Sequence, residues 1–226
     1  MALRVDIIQS EGQSLALMKH LISTSFSCIG YLRDLFEEKN FTDHFLCDLA
    51  LKRLARGMSP EADTFLDWIE LGIYDALDKK YLRTIYLGIF IDPDDPKNVL
   101  EWYTFKVAYA PFNSDHVGAD ISSLSIEQND KEILHFSQKE IDFKRSAVQI
   151  LRTMCILTQT LKSLPAIKYL TIRIYYYEDR TPSSYQPPLF LDCPDEIFVN
   201  SRGADSLRFD LGQAATPFHT YVLPMY

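Results

Sequence analysis

The chain has 226 residues, room for one generous domain or two cramped ones, and its 47% hydrophobic and 24% charged content is that of a folded protein, not a disordered one. Lys plus Arg number 23 against 31 Asp plus Glu, so the net charge of −8 has the wrong sign for gripping a phosphate backbone over a broad face, and no direct nucleic-acid binding is expected. No apolar run reaches the ~18 residues of a spanning helix, the N-terminus lacks a signal peptide's apolar centre, and the four cysteines form no C-x-x-C pair; a soluble chain in a reduced compartment, away from membranes, is expected.

From Gln13 to Phe36 the apolar residues repeat on a helical period, with Leu15, Ile22, Ile29 and Phe36 seven apart and Met18, Ser25 and Leu32 on companion positions. The pattern predicts a helix of roughly 36 Å, long enough to cross a whole domain, and the small Ser25 inside the stripe suggests a close crossing. His44 to Leu54 is apolar but short, and fits either a minor hairpin or a short helix. Ser59-Pro60-Glu61 announces a second helix, with a capping hydroxyl before a proline whose missing N–H is harmless at the first helical position. Ala62, Phe65, Leu66, Ile69, Ile73, Ala76 and Leu77 give it an apolar stripe, and Lys79 and Lys80 suit the negative end of its dipole.

Tyr81 to Ile91 is rich in β-branched and aromatic residues, and a turn cluster separates it from Glu101 to Tyr109, which alternates Tyr103, Phe105, Val107 and Tyr109 with Trp102, Thr104, Lys106 and Ala108. An antiparallel hairpin follows from that pair of runs. Ala110 to Phe136 is polar and without period, and a mobile loop is expected there. Ser137 to Glu140 has the form of a capping box, opening a third helix with the stripe Ala147, Val148, Leu151, Met154, Cys155, Thr158 and Leu161, which Pro165 stops. Lys168 to Tyr177 is the cleanest strand, with Leu170, Ile172, Ile174 and Tyr176 on one face. The tail from Glu178 to Tyr226 is punctuated by proline, yet keeps apolar patches at Leu189 to Leu191, Ile197 to Val199 and Tyr221 to Leu223. These read as short strands that lie on a neighbour and could leave it.

Catalytic signatures are missing. The sequence has no dinucleotide-binding or phosphate-binding glycine loop, no H-E-x-x-H and no G-x-S-x-G. His20, His44, His116, His135 and His219 stand apart from one another, and Asp94-Asp95 and Glu37-Glu38 sit where turns and helix ends put solvated acids. No enzymatic activity, metal or cofactor is expected.

The order of elements, together with the strings SLALMKHLISTSFSCIGYLRDLF, YDALDKKYLRTIYLGIFIDPDDP running into YTFKVAY, IRIYYYEDRTPSSYQPPLF and ATPFHTYVL, resembles the HORMA family, and within it the meiotic chromosome-axis branch. Tyr74-Asp75-Ala76-Leu77 and Tyr185-Gln186-Pro187-Pro188 are the most branch-specific. The resemblance implies an α+β fold, a three-helix layer on an antiparallel sheet, in one HORMA domain over residues 1–226, with a core of 1–177 and a mobile C-terminal safety belt of 178–226. Family members wrap the belt around a closure-motif peptide that joins the sheet as an added strand. Carried onto this chain, the peptide meets Thr171, Ile172, Arg173, Ile174, Tyr175 and Tyr176 of the alternating strand and Tyr185, Pro187, Phe190, Phe209, Phe218 and Tyr221 of the belt. A strand followed by a detachable tail is independently a natural place for β-augmentation.

The implied partners are closure motifs of axis core proteins, a closure motif in a further C-terminal tail of the protein itself, from which this chain is expected to be trimmed, and an AAA-type ATPase remodeller gripping Asp6 to Gln13. The implied setting is the nucleus, on meiotic chromosomes, in double-strand-break formation, homologous recombination and synapsis surveillance. The spindle-checkpoint and translesion or DNA-repair branches share the architecture and are the alternative.

Overall fold

The computed structural model describes residues 10–46, 48–95, 99–109, 127–128, 131–132, 143–193 and 209–225. Helix α1 (Glu11–Leu32) begins where Ser10 accepts the Gln13 N–H at 3.2 Å. From Leu21 to Gly30 every residue is buried, Ser23, Thr24, Ser25 and Ser27 included, because other elements pack around the whole circumference. The helix ends at Leu32, four residues before the periodicity does. Asp34 adopts φ 53°, and the N–H groups of Leu35 and Asp34 return to the carbonyls of Gly30 and Tyr31, a Schellman closure. Phe36 then folds back to pack on Phe41 and Phe65.

The segment from His44 to Leu54 belongs to a hairpin, β1 (Phe41–Leu46) with β2 (Leu49–Leu54). The second helical rod starts as read, with Ser59 accepting from the Ala62 N–H and Pro60 in the first turn. It runs through α2 (Pro60–Asp67), a π-helical turn (Trp68–Ile73) and α3 (Tyr74–Asp78). Such widened turns concentrate at functional sites, and this one contains Gly72. Helix α4 (Phe143–Thr160) is the third rod. The expected loop between Ala110 and Phe136, the capping box at Ser137 and the patch at Ile197 to Val199 fall almost wholly outside the described residues, apart from two short paired strands, β5 (Glu127–Gln128) and β6 (Lys131–Glu132).

The main sheet contains β3 (Leu82–Phe90), β4 (Val99–Tyr109), β7 (Tyr169–Tyr176), β8 (Phe209–Ala215) and β9 (His219–Met225), antiparallel in the order β7-β3-β4-β9-β8. Leu82, Ile85, Leu87, Tyr103, Phe105, Val107, Tyr221 and Leu223 face the helices and are essentially inaccessible. The fold is therefore α+β, a helical layer on one face of an antiparallel sheet. On the other face Gly88 leaves room for the Trp102 ring, whose nearest atom would lie 2.6 Å from an added Cβ. One buried ion pair ties the layers together: Arg33 Nε donates to Glu101 Oε2 at 2.9 Å, its Nη2 bonds both Glu101 and the Lys162 carbonyl, and Tyr103 donates to the same carboxylate at 3.0 Å. Both charges are hydrogen-bonded, as burial demands.

Candidate functional site

Strand β7 is a margin of the sheet, bonded to β3 on its inner side. The Tyr177 N–H donates to the Tyr81 carbonyl at 2.8 Å, which fixes the alternation of the ladder. Counting back from Tyr177, Tyr175, Arg173 and Thr171 turn their main-chain groups toward β3, and the main-chain groups of Tyr176, Ile174, Ile172 and Leu170 point outward. The bulge in this pairing, between Leu82 and Thr84, lies on β3 and leaves the β7 alternation intact. The side chains of Leu170, Ile172, Ile174 and Tyr176 lean on the helical core yet are only half-buried, an apolar shelf along the edge.

The chain leaving β7 turns at once, the Thr181 N–H and hydroxyl both donating to the Tyr177 carbonyl at 3.1 and 2.7 Å. It then crosses to the second helical rod. Tyr185 donates to Asp75 Oδ2 at 2.7 Å, its ring is edge-on to Tyr81 and Tyr176, and Lys79 lies over it 4.9 Å from the centroid. Burial works to raise the Asp75 carboxyl, but hydrogen bonds from Lys79 and Tyr185 outweigh it and hold Asp75 below the usual carboxylate range. Burial and the adjoining carboxylate push the Tyr185 phenol up. Phe190 occupies a notch over Gly72, where an added Cβ would lie 2.3 Å from its ring and 2.8 Å from the Pro188 carbonyl oxygen. The two strings singled out in the sequence, Tyr74 to Leu77 and Tyr185 to Pro188, thus meet in a clasp.

Leu189 to Leu191 form no strand, contrary to the reading of their apolar run. The Phe190 N–H closes a turn on the Pro187 carbonyl at 3.3 Å, Pro187 is buried, and Leu189 sits at φ 66° with 58% of its surface exposed. Left-handed backbone costs an L-residue about 1–2 kcal/mol, and more when the side chain is β-branched. Stability is therefore expected to rank Leu189→Gly above the parent and the parent above Leu189→Val, over a span of about 2 kcal/mol. Urea titrations of the three proteins check the order.

The tail's last two strands lie far from β7. Strands β8 and β9 add to β4 on the opposite side of the sheet, so the described parts of the tail lie at its two margins. The hairpin is locked there from within. Thr216 Oγ1 accepts the His219 and Phe218 N–H groups at 2.8 and 3.2 Å, and the buried Ser14 hydroxyl of α1 meets Thr216 Oγ1 at 2.5 Å and His219 Nδ1 at 2.6 Å. Tyr221 is wholly buried and its hydroxyl bonds Ser25 at 3.0 Å, so the small residue in the α1 stripe receives a phenol from the tail.

Of the predicted contact residues, Thr171, Ile172, Arg173, Ile174, Tyr175 and Tyr176 line the β7 margin, with Tyr185, Pro187 and Phe190 beside the second rod. Phe209, Phe218 and Tyr221 lie elsewhere. Phe209 begins β8 and Phe218 lies in the hairpin turn, both across the sheet from β7, while Tyr221 faces the core because β9 pairs with β4 in the register that turns it toward α1. The sequence missed Gly72, Ser14 and His219 as working residues, since their partners lie up to 205 positions away.

His219 and Ser14 bring a hydroxyl and an imidazole together, but at 2% and 0% exposure neither meets solvent. Burial lowers the His219 pKa, with Glu11 opposing and Lys80 reinforcing the shift. An unfolded histidine takes up its proton near pH ~6.5, whereas folded His219 resists, so this contribution to stability is complete above that value and is lost as the pH falls below it. Burial lowers His20 and His44 too, in the same direction. Melting temperature is expected to fall between about pH 7.5 and 5.5, and His219→Asn, which keeps a partner for Ser14, should flatten part of that fall. Equal slopes for parent and variant in thermal melts would contradict the assignment. Among the described residues no group of His, Cys, Asp or Glu side chains is arranged to hold a metal ion, and no helix is long and apolar enough to cross a membrane.

The HORMA domain model matches residues 14–219. HORMA domain-containing protein 1 of Rattus norvegicus is 37% identical over 219 residues, 96% of this chain and 52% of that protein, and the Homo sapiens protein of the same name is 36% identical over 217 residues, 95% and 52%. The chain spans about half the length of the curated relatives it matches. Among solved structures, C. elegans HTP-1 bound to a HIM-3 closure motif superposes with TM-score 0.73 at 19% identity, covering 98% of this chain and 92% of that one. C. elegans HTP-2 bound to HTP-3 closure motif 1 gives 0.74 at 18%, covering 97% and 87%. A chain of the mitotic checkpoint complex shares the fold at 0.66 and 13%, covering 94% and 97%. With helices on one face of an antiparallel sheet, a tail that spans both sheet margins and a family match over nearly its whole length, the chain belongs to the HORMA domain family.

Proposed function

We propose that this chain is a peptide-embracing adaptor of the meiotic chromosome axis, acting in the nucleus in axis assembly, break formation, recombination and synapsis surveillance. The observation that carries the reading is the outer margin of β7. It joins outward main-chain groups, an apolar shelf and the first stretch of a clasped tail in one place, while the end of that tail is parked on the opposite margin. A closure peptide adds there as a sixth strand. Main-chain hydrogen bonds supply the affinity, and the tail from 178 to 226 acts as the belt on a core of 1–177. The named relatives and the closure-motif complexes of similar fold support the branch and the ligand class. Partners are closure motifs of axis core proteins.

An AAA-type remodeller pulling on Asp6 to Gln13 would draw on the helix whose Ser14 holds the β8–β9 turn, so loss of the N-terminal grip and release of the hairpin are one event. The test is a binding scan with overlapping peptides from axis proteins, with checkpoint-receptor peptides alongside. Saturable binding of axis peptides is expected. Binding of checkpoint peptides alone would assign the chain to the other branch, and binding of neither would overturn the adaptor reading.

A further inference from the structure

A short row of side chains crosses the sheet at the end where the tail departs. Tyr109, the last residue of β4, stands across from His219, the first of β9, with ring centroids 5.4 Å apart at 71°. The same tyrosine meets Tyr177 edge-on at 5.9 Å, and the Tyr177 hydroxyl donates to the Val107 carbonyl at 2.9 Å. Arg180 of the departing tail lies over both tyrosines, its guanidinium carbon 4.7 Å from the Tyr177 centroid and 5.9 Å from that of Tyr109. We propose that Tyr109 is a coupling residue, which ties the parking of the β8–β9 hairpin on β4 to the fastening of the tail's root beside β7.

The root is pinned as far as Thr181. The N–H groups of Arg180 and Thr181 donate to the Tyr177 carbonyl at 3.3 and 3.1 Å, and Asp179 faces the guanidinium at 3.2 Å. A cation over a tyrosine face is attracted by the ring's quadrupole, the more so as water is excluded. The parked hairpin supplies that exclusion through His219, which Ser14 and Thr216 hold in place. The Tyr109 hydroxyl is buried and has no hydrogen-bond partner among the described residues, so this side chain serves through its ring and not through its polar end. When the hairpin leaves, Tyr109 loses its His219 cover and water reaches the faces on which Arg180 rests. When the root lifts, Tyr109 loses Arg180 and Tyr177. Each movement therefore favours the other, by the same factor in both directions. The inference rests on the tail acting as a belt and specifies how its two ends communicate; its test uses no peptide, so the two readings fail separately.

Hydrogen exchange at neutral pH, read by mass spectrometry on the whole chain, compares the parent with Arg180→Ala, His219→Asn, their double variant and Tyr109→Phe. Arg180 is 40% exposed, and its ion-pair and ring contacts among the described residues stop at Asp179, Tyr177 and Tyr109, so its truncation spares the core. Arg180→Ala is expected to speed exchange in β8 and β9 about two- to fivefold, the size of one cation–π contact. His219→Asn, which keeps a partner for Ser14, should speed exchange at 177–181 to a similar extent. In the double variant the second substitution should add little to the first. Tyr109→Phe, which keeps the ring and removes only the hydroxyl, should speed neither. Loosening confined to 177–185 in Arg180→Ala, fully additive effects in the double variant, or faster exchange at both ends in Tyr109→Phe would overturn the proposal.

Discussion

Ile174→Pro is expected to leave a folded domain that no longer retains a closure peptide, whereas Arg173→Pro is expected to destabilise the sheet by about 3 kcal/mol or more. The two positions are adjacent in one strand and differ in the direction of their main-chain N–H, with Ile174 also giving up a half-buried side chain. Because the Tyr177 N–H is bonded to Tyr81, the N–H of Arg173 faces β3, where its register partner is Tyr86. Proline there removes a ladder bond in the sheet interior and sets a ring against a paired strand, a cost of about 3 kcal/mol or more to a domain whose total stability is some 5–15 kcal/mol. The N–H of Ile174 points off the sheet margin, the side on which proline is tolerated. What that proline removes is a donor to an incoming strand, and its ring obstructs the strand's approach. Titration calorimetry with a closure peptide, paired with thermal melts, decides the matter. If both variants fold and bind as the parent does, the peptide docks elsewhere than on β7.

Gly72→Ala is expected to speed the escape of a bound closure peptide about tenfold or more while leaving the helical rod intact. Alanine favours a helix over glycine by about 1 kcal/mol, so the rod itself has no reason to weaken. Its methyl, however, would stand 2.3 Å from the Phe190 ring and 2.8 Å from the Pro188 carbonyl oxygen. A ring could swing away from that contact, but the carbonyl moves only if the segment carrying Tyr185 to Phe190 lifts. Losing the burial of one Phe side chain is worth about 1.5–3 kcal/mol, and each ~1.4 kcal/mol is a factor of ten in residence. Tyr185→Phe, which removes only the hydroxyl bond to Asp75, should act in the same direction and less strongly. Dissociation rates from surface-captured peptide measure both, and an unchanged off-rate in Gly72→Ala would separate the clasp from peptide retention.

Local chemistry settled a good deal of this molecule in advance. Ser59 and Pro60 marked the start of the second rod because a cap and a first-turn proline act within four residues, and the strict alternation from Lys168 to Tyr177 marked β7 because one face of that strand had to meet a core. The meeting of Tyr74 to Leu77 with Tyr185 to Pro188 was half legible: both strings stood out, but nothing in either said that Asp75 would take the Tyr185 hydroxyl. The early end of α1 was hidden, since Leu32 and Phe36 keep the helical period while Asp34 breaks it through a left-handed turn that carries no glycine. The apolar run at Leu189 to Leu191 read as a strand because patterning records hydrophobicity and not destination; only Phe190 is drawn inward, by a notch that exists because Gly72, far away in the chain, has no side chain. The sequence by itself determined where the second rod starts, the β3–β4 hairpin and strand β7, and that the tail differs from the core. Only the tertiary structure decided which sheet margin receives the tail, that Tyr221 belongs to the core, and which β7 residues turn outward. Those outcomes depend on pairings between residues separated by up to 205 positions, such as Ser14 with His219, and no local period carries that information.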